Sequence, residues 1–245
     1  MGGEPAMPAP AQVRLDQILG PVQRATRPLP AISGGTLAVG ERSGRSVAVA
    51  SDPEHDRIWI IDPTARSGAP TERPIDLPAG AEPGRVVIAG ERAFVALRRR
   101  GEVAVVDLKS DRITAQVAVC AAPRGLAVEA STDTLAVACA SGELVLWRAS
   151  TMEHEASYEL GADLRDVVVQ GDEILVSRFR SAELLTVRRQ DGSVVDRGAP
   201  AGVLELTSDV LPASVAWRMV TGPDGHPVVL HQLHLTRAGR SCRRR

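Results

Sequence analysis

A short apolar run recurs in this chain at intervals of about 40 residues, and this repeat restricts the folds that the chain can adopt. Closely matched copies occupy residues 101–106, 142–147 and 182–187, and a looser copy occupies residues 57–62. The runs are rich in Val, Leu and Ile and are bounded by Gly, Asp, Glu and Ser, which is typical of strands between turns. A period of this length is typical of architectures that stack one supersecondary unit repeatedly.

Further strand-like runs lie between the copies and predict the architecture of the repeat. Four quartets of strands are predicted within residues 36–77, 85–119, 125–160 and 165–197. Four antiparallel strands form the blade of a β-propeller, so we predict an all-β fold with about four complete blades. Two more strands, at residues 214–220 and 227–233, begin a partial fifth blade.

The repeats divide the chain into three segments. A Pro- and Ala-rich N-terminal segment occupies residues 1–30, the propeller occupies 31–234, and a basic tail occupies 235–245. Half a blade would leave an unpaired strand edge. Either the chain is a fragment of a longer propeller protein, or residues 12–30 supply the missing strands and close a five-bladed ring. We favour the fragment, because residues 12–30 match the later strands poorly.

The composition argues against several classes of partner. The net charge is -1 at pH 7 and the isoelectric point is about 6.5, so no overall field favours nucleic acid or an anionic membrane. The N-terminus has neither the basic nor the apolar region of a secretory signal. No apolar run approaches the roughly 20 residues that span a bilayer. We therefore expect no nucleic-acid partner and no membrane span.

The cysteines do not indicate a metal or haem site. Cys120, Cys139 and Cys242 are the three cysteines, and no Cys-x-x-Cys or Cys-x-x-Cys-His motif occurs. Cys120 and Cys139 end apolar runs, so we interpret them as small buried core residues. A disulfide between them is the less favoured alternative, because the sequence does not supply its geometry.

Catalytic and metal-binding motifs are not found. The sequence has no Gly-x-Ser-x-Gly elbow, no glycine-rich phosphate loop before a helix and no His-Glu-x-x-His pair. The acidic turn at residues 52–56 lacks the glycine and the carboxylate register of a calcium loop. His226, His231 and His234 have odd separations between neighbours, which place successive members on opposite faces of a strand. We expect no enzyme activity, no metal and no cofactor in this chain.

Arginines recur at corresponding places in the predicted blades and are the candidate binding residues. Arg85, Arg124 and Arg165 lie where three successive innermost strands enter the central channel. An arginine ring there would bind carboxylate or phosphate groups through paired N–H donors. The turns between second and third strands lie on the same face and add Arg98, Arg99, Arg100, Arg178, Phe179 and Arg180. The alternative is that these are ordinary solvated charges on loops.

Parts of the repeat resemble known propeller families. Residues 123–128 (PRGLAV) and 133–138 (DTLAVA) resemble the first two strands of YVTN-type repeats, and residues 101–108 (GEVAVVDL) resemble the third. The likeness to WD40 repeats is more distant, because Trp59 and Trp147 lie in the right strand but lack the Asp that should follow.

A second resemblance concerns the C-terminal strands. Residues 212–217 (PASVAW) and 223–231 (PDGHPVVLH) resemble late blades of propeller domains fused to bacterial di-haem cytochrome c peroxidase-like modules. The resemblance implies an extracytoplasmic protein and a c-type cytochrome domain, fused or separate, outside this chain. Without it, the lack of a signal would favour the cytoplasm.

These observations together predict a binding function. We predict a non-catalytic binding or scaffold module that takes a protein partner or an anionic small ligand where the strands enter the channel. The alternative is a regulatory or sensor domain of an extracytoplasmic haem-dependent peroxidase or electron-transfer protein.

Overall fold

The computed structural model describes residues 34–64, 68–201, 203–204 and 210–234. The predictions for residues 1–30, for the tail at 235–245 and for Cys242 lie outside these ranges. Apart from one turn of 3-10 helix at Ala130–Thr132, the regular structure of the described residues is β. No helix within them is long and apolar enough to cross a membrane.

Four antiparallel sheets of four strands form blades one to four, each in simple sequence order from the inside outward. Blade one contains β1 (Leu37–Arg42), β2 (Arg45–Asp52), β3 (Arg57–Asp62) and β4 (Thr71–Asp76). Blade two contains β5 (Pro83–Ala89), β6 (Arg92–Leu97), β7 (Glu102–Asp107) and β8 (Arg112–Ala118). Blade three contains β9 (Pro123–Glu129), β10 (Thr134–Cys139), β11 (Glu143–Arg148) and β12 (Glu153–Glu159). Blade four contains β13 (Leu164–Gln170), β14 (Glu173–Arg178), β15 (Leu184–Arg188) and β16 (Val194–Gly198).

The partial fifth blade is a two-stranded sheet. Before it comes a short antiparallel pair of strands that the sequence did not indicate. Its strands, β17 (Val203–Leu204) and β18 (Val210–Leu211), have two residues each. The blade itself pairs β19 (Ala213–Thr221) with β20 (Pro227–Leu233). The innermost strands β1, β5, β9, β13 and β19 pack side by side in sequence order. The predicted all-β propeller with four blades and a partial fifth is confirmed.

The position of a strand within its blade sets its burial. Every residue of β10 is buried, because this second strand is covered on both faces by neighbouring blades. In the outermost strand β12, exposed and half-buried residues follow one another and no side chain is fully buried. The sequence shows the same contrast, with a continuous apolar run in β10 and charged residues in β12.

Three clusters of buried side chains lie between successive blades and hold them together. Strand β6 contributes to two of them, because alternate side chains of a strand point to opposite faces. Val95 packs between blades one and two with Val49 and Ile58, whereas Phe94 packs between blades two and three with Leu135. The third cluster joins blades three and four.

A disulfide joins Cys120 to Cys139, with Cα atoms 6.3 Å apart. The disulfide that the sequence left as the less favoured alternative is therefore present, and the pair lies in the core, with Cys139 fully buried and Cys120 half-buried. Cys120 follows the last strand of blade two and Cys139 ends the second strand of blade three. The stacking of the blades brings the two ends together, at a distance that suits a disulfide.

Candidate functional site

The innermost strands of blades two to five each begin with a β-bulge, and this bulge organises the candidate site. In β5, β9 and β13 the pairing register shifts once near the start of the strand, and the extra residues are Gly84, Arg124 and Arg165. In β19 the register shifts twice, at Ser214 near the start and at Trp217 further along, and Trp217 is the extra residue that lies beside Arg165. A bulge leaves its extra residue out of the ladder and redirects its side chain. We call the end of the channel where these residues lie the channel mouth.

The residue after each bulge occupies the next position inward, and this corrects the predicted arginine ring. These residues are Arg85, Gly125, Asp166 and Arg218. Arg85 therefore corresponds to Gly125 and Asp166, whereas Gly84 is the counterpart of Arg124 and Arg165. The sequence alignment was offset by one residue, and in a strand that offset moves a side chain to the other face. The shared prolines Pro83 and Pro123 would have given the correct register.

Arg85 lies inside the channel, where it pairs with Asp166 across the blades. The Arg85 Nη2 atom is 2.8 Å from Asp166 Oδ2, and the Arg218 Nη1 atom is 2.9 Å from the same oxygen. Asp166 is fully buried and Arg85 is 6% exposed. Burial lowers the pKa of Arg85 to about 10, so the guanidinium stays charged at neutral pH. This ion triad joins blades two, four and five, and two of its members, Asp166 and Arg218, were not among the predicted site residues.

Close packing of the inner strands explains the glycine in this layer. A Cβ atom on Gly125 would lie 2.7 Å from the Cα atom of Asp166. Only glycine therefore allows β9 to approach β13 this closely without a shift of the backbone. Blade three thus contributes no side chain to the layer that holds the triad.

Most of the predicted turn arginines are paired with carboxylates. Glu82 lies 2.8 Å from Arg98 and 3.6 Å from Arg99. Arg100 forms two hydrogen bonds to Glu102, of 2.9 and 3.1 Å. Arg178 lies 2.8 Å from Glu183 and donates to the Ala162 carbonyl. These four arginines therefore form ion pairs with carboxylates in and beside the turns.

The remaining predicted residues converge on one pocket of about 380 Å³ between blades three and four. Arg124, Arg165, Phe179 and Arg180 line it, together with Asp163. Asp163 accepts the Arg180 backbone N–H at 2.8 Å, and the Arg180 Nε atom lies 4.0 Å from the same carboxylate. The lining therefore contains three arginines and one aspartate, which leaves two positive charges uncompensated.

Arg124 and Arg165 are the cations of the pocket with the fewest anionic contacts. Among the described residues, Arg124 has neither a hydrogen-bond acceptor nor a carboxylate at ion-pair distance, although it is half-buried. Arg165 donates one long hydrogen bond, of 3.4 Å, to the Trp217 carbonyl. Burial lowers the pKa of Arg165, and the nearby charges of Arg124 and Arg98 lower it further. A bound anion would relieve this repulsion.

Two aromatic rings adjoin Arg165. Its guanidinium carbon lies 4.8 Å from the centre of the Phe179 ring and 5.9 Å from that of Trp217, within the range of cation–π contacts. The two rings pack edge to face with centroids 5.2 Å apart. Trp217 is 40% exposed, and the sequence analysis did not single it out as a site residue. Its position depends on a bulge, which the composition of the strand does not indicate.

The acidic turn of blade one has hydrogen-bonding roles. Asp56 accepts the backbone N–H groups of Gly80 and Glu82, both at 2.7 Å, and so ties the turn to the connection into blade two. Asp52 lies 2.9 Å from the His55 ring. Within the described ranges, no three His, Cys, Asp or Glu side chains are grouped to hold a metal ion.

Comparison with solved structures places the fold among β-propellers. Hydrazine synthase of Kuenenia stuttgartiensis is similar at a TM-score of 0.62 and 19% identity, over 76% of this chain and 53% of that chain. Streptogramin B lyase is similar at a TM-score of 0.61 and 9% sequence identity, over 82% of this chain and 64% of that chain. Sqt1 of Saccharomyces cerevisiae is similar at a TM-score of 0.58 and 11% sequence identity, over 81% of this chain and 59% of that chain. At these identities the likeness concerns the fold alone.

The chain spans 53% to 64% of the length of these three proteins. No protein-family model matches the sequence, and no curated protein matches it either. The YVTN assignment and the likeness to cytochrome-fused propellers therefore stay predictions. The propeller fold itself is established.

Proposed function

We propose that the protein is a non-catalytic binding module that takes an anionic group at the channel mouth, between Arg124 and Arg165. The observation that carries the proposal is the half-buried Arg124, which has no anionic partner among the described residues and faces the charge of Arg165. Guanidinium groups bind carboxylates and phosphates through pairs of parallel N–H donors. An anion between the two side chains would offset their mutual repulsion.

The other lining residues favour binding over chemistry. Asp163 is the acidic group of the pocket, and it is engaged by the Arg180 backbone N–H. The lining contains no Ser, Cys, His or Lys side chain that could act as a nucleophile. The pocket residues come from inner-strand starts and from adjoining turns on well-packed blades, which suits a preformed binding surface.

Titration calorimetry with citrate and with phosphate tests the proposal. We expect binding that weakens as NaCl is raised, because the contacts are partly exposed charges. Arg124→Ala should weaken it at least about tenfold, since a hydrogen bond to a charged group contributes about 1.5–3 kcal/mol. Arg112→Ala is the matched control, because it removes the same charge from the exposed outer strand β8. Equal affinity in wild type and Arg124→Ala would rule the site out.

A further inference from the structure

We propose that the natural ligand of the channel mouth is an extended, acidic protein segment that carries an aromatic side chain two residues from a carboxylate. This inference rests on the proposed function, because it assigns the ligand of the same site. It adds a second, apolar subsite next to the anion subsite. The apolar subsite consists of Trp217 and Phe179.

The bulges place three side chains in a row along the channel mouth, two of them cationic and one aromatic. Arg124, Arg165 and Trp217 come from blades three, four and five, whose inner strands are neighbours. A ligand lying across these blades therefore meets two guanidinium groups first and an indole ring next. A small inorganic anion would use only the first part of this row.

The Trp217 ring is exposed yet held in place. Its backbone carbonyl accepts the Arg165 Nε–H, and the neighbouring Ala216 backbone N–H donates to the Phe179 carbonyl at 3.0 Å. The edge-to-face contact with Phe179 fixes the ring from the side. A positioned, partly exposed tryptophan beside arginine is the composition that dominates binding energy in protein interfaces.

The spacing of the two subsites suits an extended polypeptide. The Arg165 guanidinium carbon lies 5.9 Å from the centre of the Trp217 ring. Side chains on one face of an extended strand are two residues apart, or about 6.6 Å at roughly 3.3 Å per residue. A carboxylate at one position and an aromatic ring two positions later would therefore reach Arg165 and Trp217 together. A further acidic residue on the other side would reach Arg124.

Fluorescence anisotropy with three labelled peptides tests the inference. The first contains an aspartate–serine–phenylalanine unit in an acidic context, the second has alanine for the phenylalanine, and the third has asparagine for each acidic residue. We expect the first to bind about tenfold more tightly than the second, and the third not to bind. Trp217→Ala should abolish the difference between the first two, whereas Arg124→Ala should weaken both. Val195→Ala, which removes an exposed apolar side chain of the outer strand β16, is the matched control and should change neither.

The outcomes separate this inference from the proposed function. If citrate binds but the first two peptides bind equally in wild type and in Trp217→Ala, the aromatic subsite is refuted and the anion site stands. If citrate binds and no peptide does, the polypeptide ligand is refuted. If neither citrate nor any peptide binds, both proposals fail. Circular dichroism of each variant establishes that it is folded.

Discussion

At the scale of single residues, the buried Asp166 carboxylate is the centre of the polar contacts inside the channel. It accepts hydrogen bonds from the backbone N–H groups of Val167 and Met219 and pairs with the guanidinium groups of Arg85 and Arg218. A buried ion pair adds little net stability compared with an apolar replacement, but the loss of one partner leaves a buried charge without compensation. The triad is therefore sensitive to partial removal.

We predict that Asp166→Asn lowers the free energy of unfolding by about 3–5 kcal/mol, because both guanidinium groups lose their counter-charge in a buried site. Urea denaturation measures the change. Asp196→Asn, at an exposed position of the outer strand β16, is the control and should have little effect. Adding Arg85→Met and Arg218→Met to Asp166→Asn should recover much of the loss, because the buried charges are removed while the carboxamide oxygen still accepts backbone N–H groups. A triple variant no more stable than Asp166→Asn would contradict this account.

A second prediction concerns Asp56 and the pH dependence of stability. The N–H groups of Glu82 and Gly80 lower the pKa of this carboxyl below its ordinary value of 3.8. A carboxyl whose pKa is lower in the folded state stabilises the fold above its unfolded pKa, and this stabilisation is lost as the pH falls through the folded pKa. The melting temperature should therefore fall between about pH 5 and pH 2, and it should fall less steeply in Asp56→Asn.

The control for the pH experiment is Asp172→Asn. The Asp172 side chain is exposed, and within the described residues no hydrogen bond to its carboxylate is found. This variant should keep the wild-type pH dependence of the melting temperature. If Asp56→Asn and Asp172→Asn gave the same curve as wild type, the two backbone hydrogen bonds would not couple protonation of Asp56 to folding.

At the scale of elements, the sequence was sufficient to predict the strands of the blades, but not the short β17–β18 pair or the bulges within the strands. Continuous apolar runs such as β10 and the ~40-residue period placed the blades, because burial imposes those patterns directly. A bulge changes the register by one residue and leaves the composition of the strand unchanged. Arg85 was therefore predicted at the channel mouth, where Gly84 lies, and the position of Trp217 beside Arg165 was not foreseen.

The disulfide was the less favoured alternative for a related reason. Cys120 and Cys139 belong to different blades, and their approach depends on how the blades stack, which a local pattern does not report. The bond closes a loop with a sequence separation of 19 residues and constrains the unfolded chain. Its reduction should lower the free energy of unfolding by about 3 kcal/mol.

Urea denaturation with and without a phosphine reductant measures this effect. The double variant Cys120→Ala/Cys139→Ala should be insensitive to the reductant, which separates loss of the bond from any other action of the reagent. Identical midpoints for the wild type under both conditions would show that the bond contributes nothing. Mass spectrometry of the alkylated protein establishes the oxidation state in each sample.

At the scale of the whole molecule, two kinds of connection hold the blades. Apolar clusters join blades one to four in sequence, and the contacts between inner strands continue in the same order to blade five. The ion triad is different, because it reaches across the channel from blade two to blades four and five. Stability in stacked repeats is approximately a sum of unit and nearest-neighbour contributions. A cavity in one cluster should therefore lower local stability most in the two blades that share that cluster.

Two matched cavity variants test this expectation. Ile174→Ala opens the cluster between blades three and four, and Ile58→Ala opens the cluster between blades one and two. Each should cost about 2–5 kcal/mol, because a fully buried isoleucine is truncated. Hydrogen exchange should then show faster opening of β11 and β14 in the first variant and of β3 and β6 in the second. Equal acceleration in all blades of both variants would instead mean that the triad and the clusters make the propeller unfold as one cooperative unit.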